Sequence, residues 1–321
     1  MGNLQSEDKG DFEHFMLKEI FDGPEALRQT LNGKLKDNKI VFTELKLKVE
    51  KLHKIYIAAC GTAYHAGLVG RKAIEELAGI AVETDLASEF AYRKVLWHPD
   101  DLLIVISQSG ETADTLAALN KAKEEGIPVL AIVNVADSTI ARLADMVIYT
   151  QAGPEISIAS TKVYLTQLLV LYLLALYLAQ EKGSLPIKDL QAYIACITNI
   201  DQQVEKVLTT QLAIKEIARK HHHAEDAFFL GRGYDYPVAM EGALKLKETS
   251  YVHSEAYAAG ELKHGPIALI NPKVLAMALV SQDVLVEKTM PNINEIKSRG
   301  ASVVVICKEC LQQYCQEYDD K

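Results

Sequence analysis

Four hydrogen-bond donors and a glycine fall within one short stretch of the sequence, Ser107-Gln108-Ser109-Gly110-Glu111-Thr112. Three of the donors are hydroxyl groups and one is a side-chain amide, while the glycine lets a ligand approach the backbone closely. The stretch contains neither Lys nor Arg, so it predicts a neutral cradle of hydrogen bonds rather than a phosphate loop with a lysine. An ordinary helix N-cap needs only one such residue. The pattern therefore favours the binding of an anion.

Two predicted elements flank this stretch and position it. The apolar run Leu102–Ile106 predicts a buried strand, and residues Asp114–Glu125 predict a helix. In a parallel sheet, ligands bind beyond the carboxyl ends of the strands, where the first N–H groups of the next helix point at the ligand. We therefore predict that residues 107–112 hold a phosphate group.

Two further loops are candidates for the same pocket. Cys60-Gly61-Thr62 is a glycine turn at the start of a predicted helix, and the hydroxyl of Thr62 is expected at the same edge of the sheet. This turn is a weak signal by itself. The loop Gly153–Lys162 carries a glycine, serines and a threonine before a long helix, and it is expected to close over a sugar through hydroxyls and backbone carbonyls. An ordinary connecting loop fits it equally well.

A repeated pattern of strands and helices underlies these loops. A shift of about 172 residues places Ile55–Gly61 on Ala227–Gly233, and a slightly larger shift places Gly126–Ile132 on Gly300–Ile306. Short apolar runs that alternate with helical stretches indicate βαβ units and a mainly parallel sheet. Because strand, glycine turn, helix and later strand recur in the same order, two copies of one α/β unit are favoured over chance similarity.

The predicted fold is α/β, with two similar three-layer αβα lobes and mainly parallel, five-stranded, flavodoxin-like sheets. The second copy lacks counterparts of the strand Met146–Tyr149 and of the helix Ser160–Ala179, so we expect a truncated second lobe. The predicted segments are an N-terminal helical leader at 1–52, a first lobe at 53–183, connecting helices at 184–224 and the second lobe at 225–321.

An apolar run within Ile158–Lys182 approaches the length of a membrane span, about 20 residues. The run is short, includes Thr166 and Gln167, and begins at Lys162. A helix buried inside a two-lobed or dimeric protein is therefore the better interpretation, and we expect no membrane contact.

Composition narrows the classes of function. The chain has 321 residues, 49% hydrophobic and 24% charged, which suits a globular protein with room for two cores. A net charge of -9 argues against a nucleic-acid-binding surface. Met1–Asp11 is polar and acidic, so a cytoplasmic location is expected. The five cysteines are expected to be reduced thiols, and a fourth zinc ligand is missing beside Cys307, Cys310 and Cys315, so neither metal nor cofactor is predicted.

Four motifs together resemble a known family over Phe12–Ile306. The resemblance is to the isomerase domain of the glutamine–fructose-6-phosphate aminotransferases, or glucosamine-6-phosphate synthases. It implies two sugar-isomerase (SIS) lobes, fructose 6-phosphate as substrate, and glucosamine 6-phosphate as product of the complete enzyme, in the hexosamine biosynthesis that leads to UDP-N-acetylglucosamine. The motifs are Cys60–Thr62, Ser107–Thr115, Ala159–Lys162 and Tyr257–Pro266.

The same resemblance implies roles for single residues. Glu248 becomes the proton-transfer base, Lys245 assists at the sugar, and His264 promotes ring opening from the neighbouring subunit of a homodimer. Moving a proton between C1 and C2 of a sugar needs a carboxylate base of this kind. From spacing alone, a surface ion pair on one helix face is the better explanation of Lys245 and Glu248. The implied phosphate- and substrate-binding residues are Thr62, Ser107, Gln108, Ser109, Thr112, Ile158 and Ser160.

Three features depart from the family pattern. The glutamine-hydrolysing domain has no counterpart before the isomerase region, and the tail lysine that forms a Schiff base is not matched, since Lys321 is no credible substitute. Ala63 stands where synthases commonly have a serine, which removes one hydroxyl donor near the phosphate. We therefore expect an isomerase portion that binds fructose 6-phosphate, more weakly than a serine-bearing relative, and is impaired in catalysis.

Two other functions stay open at the level of sequence. One is a related sugar-phosphate isomerase or a deaminase acting on glucosamine 6-phosphate. The other is a non-catalytic sensor that keeps the phosphate loop, although a sensor would usually lack the pair Glu248 and His264. The expected ligand in each case is a sugar phosphate: fructose 6-phosphate, glucose 6-phosphate or glucosamine 6-phosphate.

Overall fold

The computed structural model describes residues 9–315 and residue 318. Two compact units make up the chain, a first unit of Met1–Leu208 and a second unit of Thr209–Lys321. Lys321 and the first eight residues of the predicted leader lie outside the described residues.

The elements of each unit alternate along the chain much as the sequence predicts. In the first unit the helices are α1 (Phe15–Phe21), α2 (Gly23–Leu31), α3 (Gly61–Ala78), α4 (Ala87–Phe90), α5 (Ala113–Glu124), α6 (Thr139–Leu143), α7 (Lys162–Lys182), α8 (Ile187–Thr198) and α9 (Ile200–Leu208). Its strands are β1 (Leu35–Lys36), β2 (Lys39–Ile40), β3 (Lys54–Ala59), β4 (Ala81–Leu86), β5 (Leu102–Ser107), β6 (Val129–Val133) and β7 (Met146–Tyr149). The second unit contains α10 (Gln211–His221), β8 (Asp226–Gly231), α11 (Asp235–Ser250), β9 (His253–Ala258), β10 (Val274–Val280), α12 (Val286–Ser298) and β11 (Ser302–Cys307).

The N-terminal leader is helical only in its first half. After α2 ends at Leu31, the strands β1 and β2 pair as an antiparallel hairpin. Asp37 and Asn38 join them with positive φ angles of 50° and 57°. Two such residues interrupt a helix and suit a two-residue hairpin turn, and Asp and Asn tolerate this conformation better than most residues. The prediction of a helical leader is therefore wrong for residues 32–48, and after them one short 3-10 helix forms at Val49–Lys51.

Five parallel strands form the sheet of the first unit, in the order β4-β3-β5-β6-β7. Strands β5 and β6 are buried along their whole length, as expected of strands covered on both faces. The strand order reverses between β3 and β5, because β4 lies to one side while β6 and β7 lie to the other. This flavodoxin-like order opens a crevice between the carboxyl ends of β3 and β5.

The long apolar helix α7 belongs to the core of the first unit. By length and composition it is able to cross a membrane, but 67% of its most apolar stretch is buried inside the protein. Helix α3 packs against it so closely that a Cβ atom on Gly70 would lie 2.8 Å from a methyl carbon of Leu171. The prediction of a buried helix between the two copies is confirmed for this element.

Four parallel strands form the sheet of the second unit, in the order β11-β10-β8-β9. This is the order of the first sheet without a counterpart of β7, with β8 in the place of β3 and β10 in the place of β5. The predicted repeat with parallel sheets is thus confirmed. In the part of the chain that the structure describes, the second sheet has four strands rather than the five of the first.

Candidate functional site

A cavity of about 200 Å³ lies at the crevice between β3 and β5. Residues from three loops that are distant in sequence line it, and six of the seven predicted substrate-binding residues are among them. The crevice is the topological switch point of the sheet, where ligands bind in folds of this kind. The predicted lining residues are Thr62, Ser107, Gln108, Ser109, Thr112 and Ser160, and the additional ones are Cys60, Ala63, Ile106 and Gln167.

Hydroxyl groups make hydrogen bonds within the segment 107–112 at the end of β5. The Oγ atom of Ser107 lies 2.9 Å from Oγ1 of Thr112 and accepts a 3.0 Å hydrogen bond from the backbone N–H of Gly110. The Oγ atom of Ser109 accepts a 3.2 Å hydrogen bond from the N–H of Glu111. Ser107 is only 3% exposed. Its hydroxyl therefore shapes the loop as well as lining the cavity.

Two helices begin at the cavity without a side-chain cap. Thr112 is the N-cap residue of α5 and Cys60 is that of α3, and neither side chain accepts a hydrogen bond from the first turn of its helix. The N–H groups of a first helical turn have no acceptor within the helix, and the helix dipole adds partial positive charge there. Two helix N-termini therefore lie beside a cavity whose lining has no Lys or Arg, an arrangement that suits an anion held by neutral donors.

Helix α6 and the residue before it support the loop at residues 107–112. Gly110 has a φ of 65°, and a Cβ atom at this position would lie 2.0 Å from Oγ of Ser138, so only glycine fits. The N–H of Ile140 donates to the carbonyl of Gly110 at 3.0 Å. The carboxylate of Glu111 accepts a 2.7 Å hydrogen bond from the N–H of Thr139, which holds the pKa of Glu111 below its usual value.

The loop before α7 is held in place by two carboxylates. Glu19 of α1, which is 3% exposed, accepts a 3.1 Å hydrogen bond from the N–H of Ser157. Glu155 accepts a 2.8 Å hydrogen bond from the N–H of Thr161 and so satisfies part of the start of α7. The loop is therefore tied to both α1 and α7.

Ile158 behaves differently from the other predicted binding residues. Its side chain is 97% exposed and does not line the cavity. A contact through its backbone carbonyl, as the loop composition allows, stays a prediction.

Gln167 is a lining residue that the sequence reasoning did not assign to the site. The available signal was a glutamine in an apolar helix, but the sequence does not show which face of α7 meets the cavity.

At the equivalent crevice of the second unit, between β8 and β10, polar groups of the protein hydrogen-bond one another. Ser281 follows β10 and donates from its N–H and its Oγ to the carboxylate of Asp235, at 2.9 Å and 2.5 Å. The amide of Gln282 donates to the carbonyl of Arg232 at 2.6 Å. An anion placed there would meet the negative charge of Asp235. The first crevice thus presents loop hydroxyls to a cavity, whereas the second has the Asp235 carboxylate bonded to Ser281.

A cluster of three charged side chains lies on α11. The Nζ atom of Lys245 is 2.5 Å from Oε2 of Glu248 and 3.4 Å from Oε1 of Glu241. The side chains of Lys245 and Glu241 are 17% and 6% exposed. The ion pair of Lys245 and Glu248 on one helix face, which spacing alone favours, is present: the Lys245 side chain is largely buried, whereas that of Glu248 is 30% exposed. The roles of these residues at a sugar stay predictions. Buried charges are costly unless they are paired as these are.

His264 lies on another element of the second unit. It ends a 3-10 helix at Ala259–His264 and its side chain is exposed. Gly265 follows with a φ of 139°, a region that favours glycine. The role of His264 in ring opening stays a prediction.

Among the described residues, His53, His98 and Asp101 form a group whose candidate ligand atoms lie within 4.8 Å of one another. The group precedes β3 and β5, at the edge of the sheet opposite the cavity. One carboxylate oxygen of Asp101 is 2.8 Å from Nδ1 of His53, and the other accepts a 2.8 Å hydrogen bond from the N–H of His98. Hydrogen bonding therefore accounts for this group without an ion.

Comparisons with known proteins agree with this architecture. The family model of the SIS domain matches residues 48–177 and 212–319. The glutamine–fructose-6-phosphate aminotransferase [isomerizing] of Clostridium tetani is 53% identical over 311 residues, which are 96% of this chain and 51% of that protein. The chain thus spans about half the length of the curated relatives that it matches.

Solved structures extend the comparison. The C-terminal domain of glucosamine-fructose-6-phosphate aminotransferase from Francisella tularensis has a TM-score of 0.92 at 39% identity, covering 95% of this chain and 87% of that domain. Glucosamine-6-phosphate deaminase from Thermotoga maritima has a TM-score of 0.74 at 24% identity, covering 92% and 86%, and shows the shared fold alone. The chain therefore belongs to the SIS domain family and has the fold of the C-terminal domain of the glutamine–fructose-6-phosphate aminotransferases.

Proposed function

We propose that the cavity of the first unit binds the phosphate group of fructose 6-phosphate. One observation carries this proposal. Two helix N-termini without a side-chain cap and several loop hydroxyls lie at the same cavity, and no Lys or Arg lines that cavity. N–H groups and hydroxyls are donors that a phosphate dianion accepts. Glucose 6-phosphate and glucosamine 6-phosphate carry the same phosphate and are expected in the same cradle.

We further propose that the chain is the isomerase portion of a glucosamine-6-phosphate synthase, and acts in the cytoplasm in hexosamine biosynthesis. Glu248 moves the proton between C1 and C2, and Lys245, paired with it at 2.5 Å, assists at the sugar. His264 promotes ring opening and comes from the partner subunit of a homodimer. Support for these roles comes from the names of the relatives and from the ion pairs that Lys245, whose side chain is 17% exposed, makes with Glu248 and Glu241.

The test compares Glu248→Gln with the wild-type chain in isomerisation of fructose 6-phosphate to glucose 6-phosphate. We expect slow conversion by the wild-type chain and a rate at least about 100-fold lower in the variant, which is the usual size of a general-base contribution. Calorimetry should show that the variant still binds fructose 6-phosphate. Glu287→Gln, a substitution of an exposed glutamate on α12, is the matched control and should keep the wild-type rate.

Three results would contradict this proposal. Absence of any conversion by the wild-type chain would remove the isomerase activity, and an unchanged rate in Glu248→Gln would remove the role of that carboxylate. Ammonia release from glucosamine 6-phosphate, without isomerisation of fructose 6-phosphate, would assign a deaminase instead.

A further inference from the structure

Gln167 is a buried polar residue whose carbonyl oxygen has no hydrogen-bond partner within the described structure. Its side chain is 2% exposed and lines the cavity of the first unit. The Oε1 atom is buried, yet no donor reaches it. Burying an amide oxygen without a donor is unfavourable, so a native protein keeps such a group only where it has a use.

Neighbouring donors are engaged elsewhere. Thr166, the residue before Gln167, donates its hydroxyl to the carbonyl of Val163 at 2.9 Å. Across the cavity, the hydroxyls of Ser107 and Thr112 bond each other. Ser160 and Thr161 are exceptions, since Oγ of Ser160, a residue that lines the cavity, and Oγ1 of Thr161 are also buried without a partner among the described residues. Two polar groups on the α7 side of the cavity are thus left for a ligand.

The hydrogen-bonding chemistry of the Gln167 carbonyl oxygen limits which group of a ligand it can bind. A carbonyl oxygen accepts hydrogen bonds and cannot donate them, so Oε1 of Gln167 calls for a donor. A phosphate dianion offers only acceptors, whereas a sugar offers hydroxyl donors. The phosphate loop at residues 107–112 and Gln167 line the same cavity, so a ligand with a phosphate at one end and hydroxyls beside it satisfies both.

We propose that Gln167 is a substrate-binding residue that accepts a hydrogen bond from a hydroxyl of the sugar, and thereby selects a sugar phosphate over phosphate alone. The inference rests on the proposed function, because the sugar reaches Gln167 when its phosphate occupies the loop at 107–112. Sites built to hydrogen-bond a hydroxyl discriminate strongly against ligands that lack it.

Gln167→Met tests the proposal, since methionine is of similar size and lacks the amide. Calorimetry measures the affinity of the wild-type chain and the variant for fructose 6-phosphate and for inorganic phosphate. We expect the variant to lose about tenfold in affinity for fructose 6-phosphate, the effect of about one hydrogen bond, with little change for inorganic phosphate. Without ligand, its melting temperature should be equal or higher, because an unpaired buried oxygen has been removed.

Gln180→Met is the matched control, the same substitution on the same helix away from the cavity lining. The Gln180 side chain makes two hydrogen bonds with the backbone of Ile40. Its Oε1 accepts from the N–H of Ile40 at 3.1 Å, and its Nε2 donates to the carbonyl of Ile40 at 3.2 Å. This control should lower the melting temperature and leave both affinities unchanged.

Unchanged affinity of Gln167→Met for fructose 6-phosphate overturns the inference alone, as does an equal loss for both ligands. A wild-type chain that binds inorganic phosphate but no fructose 6-phosphate overturns the proposed function and this inference together.

Discussion

Neutral hydroxyl groups and backbone N–H groups, not cations, provide the donors around the cavity of the first unit. Six of the residues expected there from sequence line it, because small polar residues between a strand and a helix leave few other geometries. The exposure of the Ile158 residue and the position of Gln167 at the cavity could not be read from the sequence, for one physical reason. Tertiary packing decides which face of a helix or loop meets a cavity. A single glutamine in an apolar helix does not show which way its side chain points.

A substitution of the single residue Ala63 gives a testable prediction. The residue lines the cavity in the first turn of α3, so Ala63→Ser places a hydroxyl beside the proposed phosphate. Because hydrogen bonds to charged groups are stronger than neutral ones, affinity for fructose 6-phosphate should rise about tenfold. Calorimetry measures the change, with Ala213→Ser on the exposed face of α10 as a control that should have no effect. An unchanged affinity in Ala63→Ser would mean that the phosphate does not reach this turn.

At the scale of the elements, the strand order of the first sheet reverses between β3 and β5, and the site lies at this reversal. Alternating strand and helix patterns predicted the parallel sheets, since fully buried strands read as continuous apolar runs. The hairpin at Leu35–Ile40 was missed, because its turn depends on Asp37 and Asn38 in a left-handed conformation within a segment of helical composition. The contacts that support Gly110 from α6 were also not predictable from the sequence, because they join residues about 28 positions apart.

Gly110→Ala tests whether this support is required. The left-handed backbone costs an alanine about 1–2 kcal/mol, and the contact of 2.0 Å with Ser138 adds strain that must move the loop. Thermal unfolding should show a larger loss than in Gly126→Ala, where φ is also positive, at 72°, but nothing lies within 4 Å. Gly110→Ala should also lose affinity for fructose 6-phosphate, while Gly126→Ala should keep it. Equal losses of stability in the two variants would argue against the steric role of Ser138.

The whole chain repeats one α/β unit, and the copies have diverged at the crevice where the strand order reverses. The strand order of the second sheet follows that of the first, which the internal similarity of the sequence predicted. Asp235 and Gln282 make internal hydrogen bonds at the second crevice, whereas loop hydroxyls line a cavity at the first. The sequence did not reveal this difference, because Ser107 ends β5 and Ser281 follows β10, and only the structure shows what each serine bonds.

Calorimetric titration with fructose 6-phosphate tests the central claim most directly, on the wild-type chain and on Ser107→Ala and Ser281→Ala, which change a serine at the carboxyl end of β5 and of β10. The account predicts one ligand per chain, an affinity at least about tenfold lower in Ser107→Ala, and no change in Ser281→Ala, whose serine bonds Asp235. Two ligands per chain, or the same affinity in Ser107→Ala as in the wild-type chain, would contradict the assignment of the phosphate to the first unit.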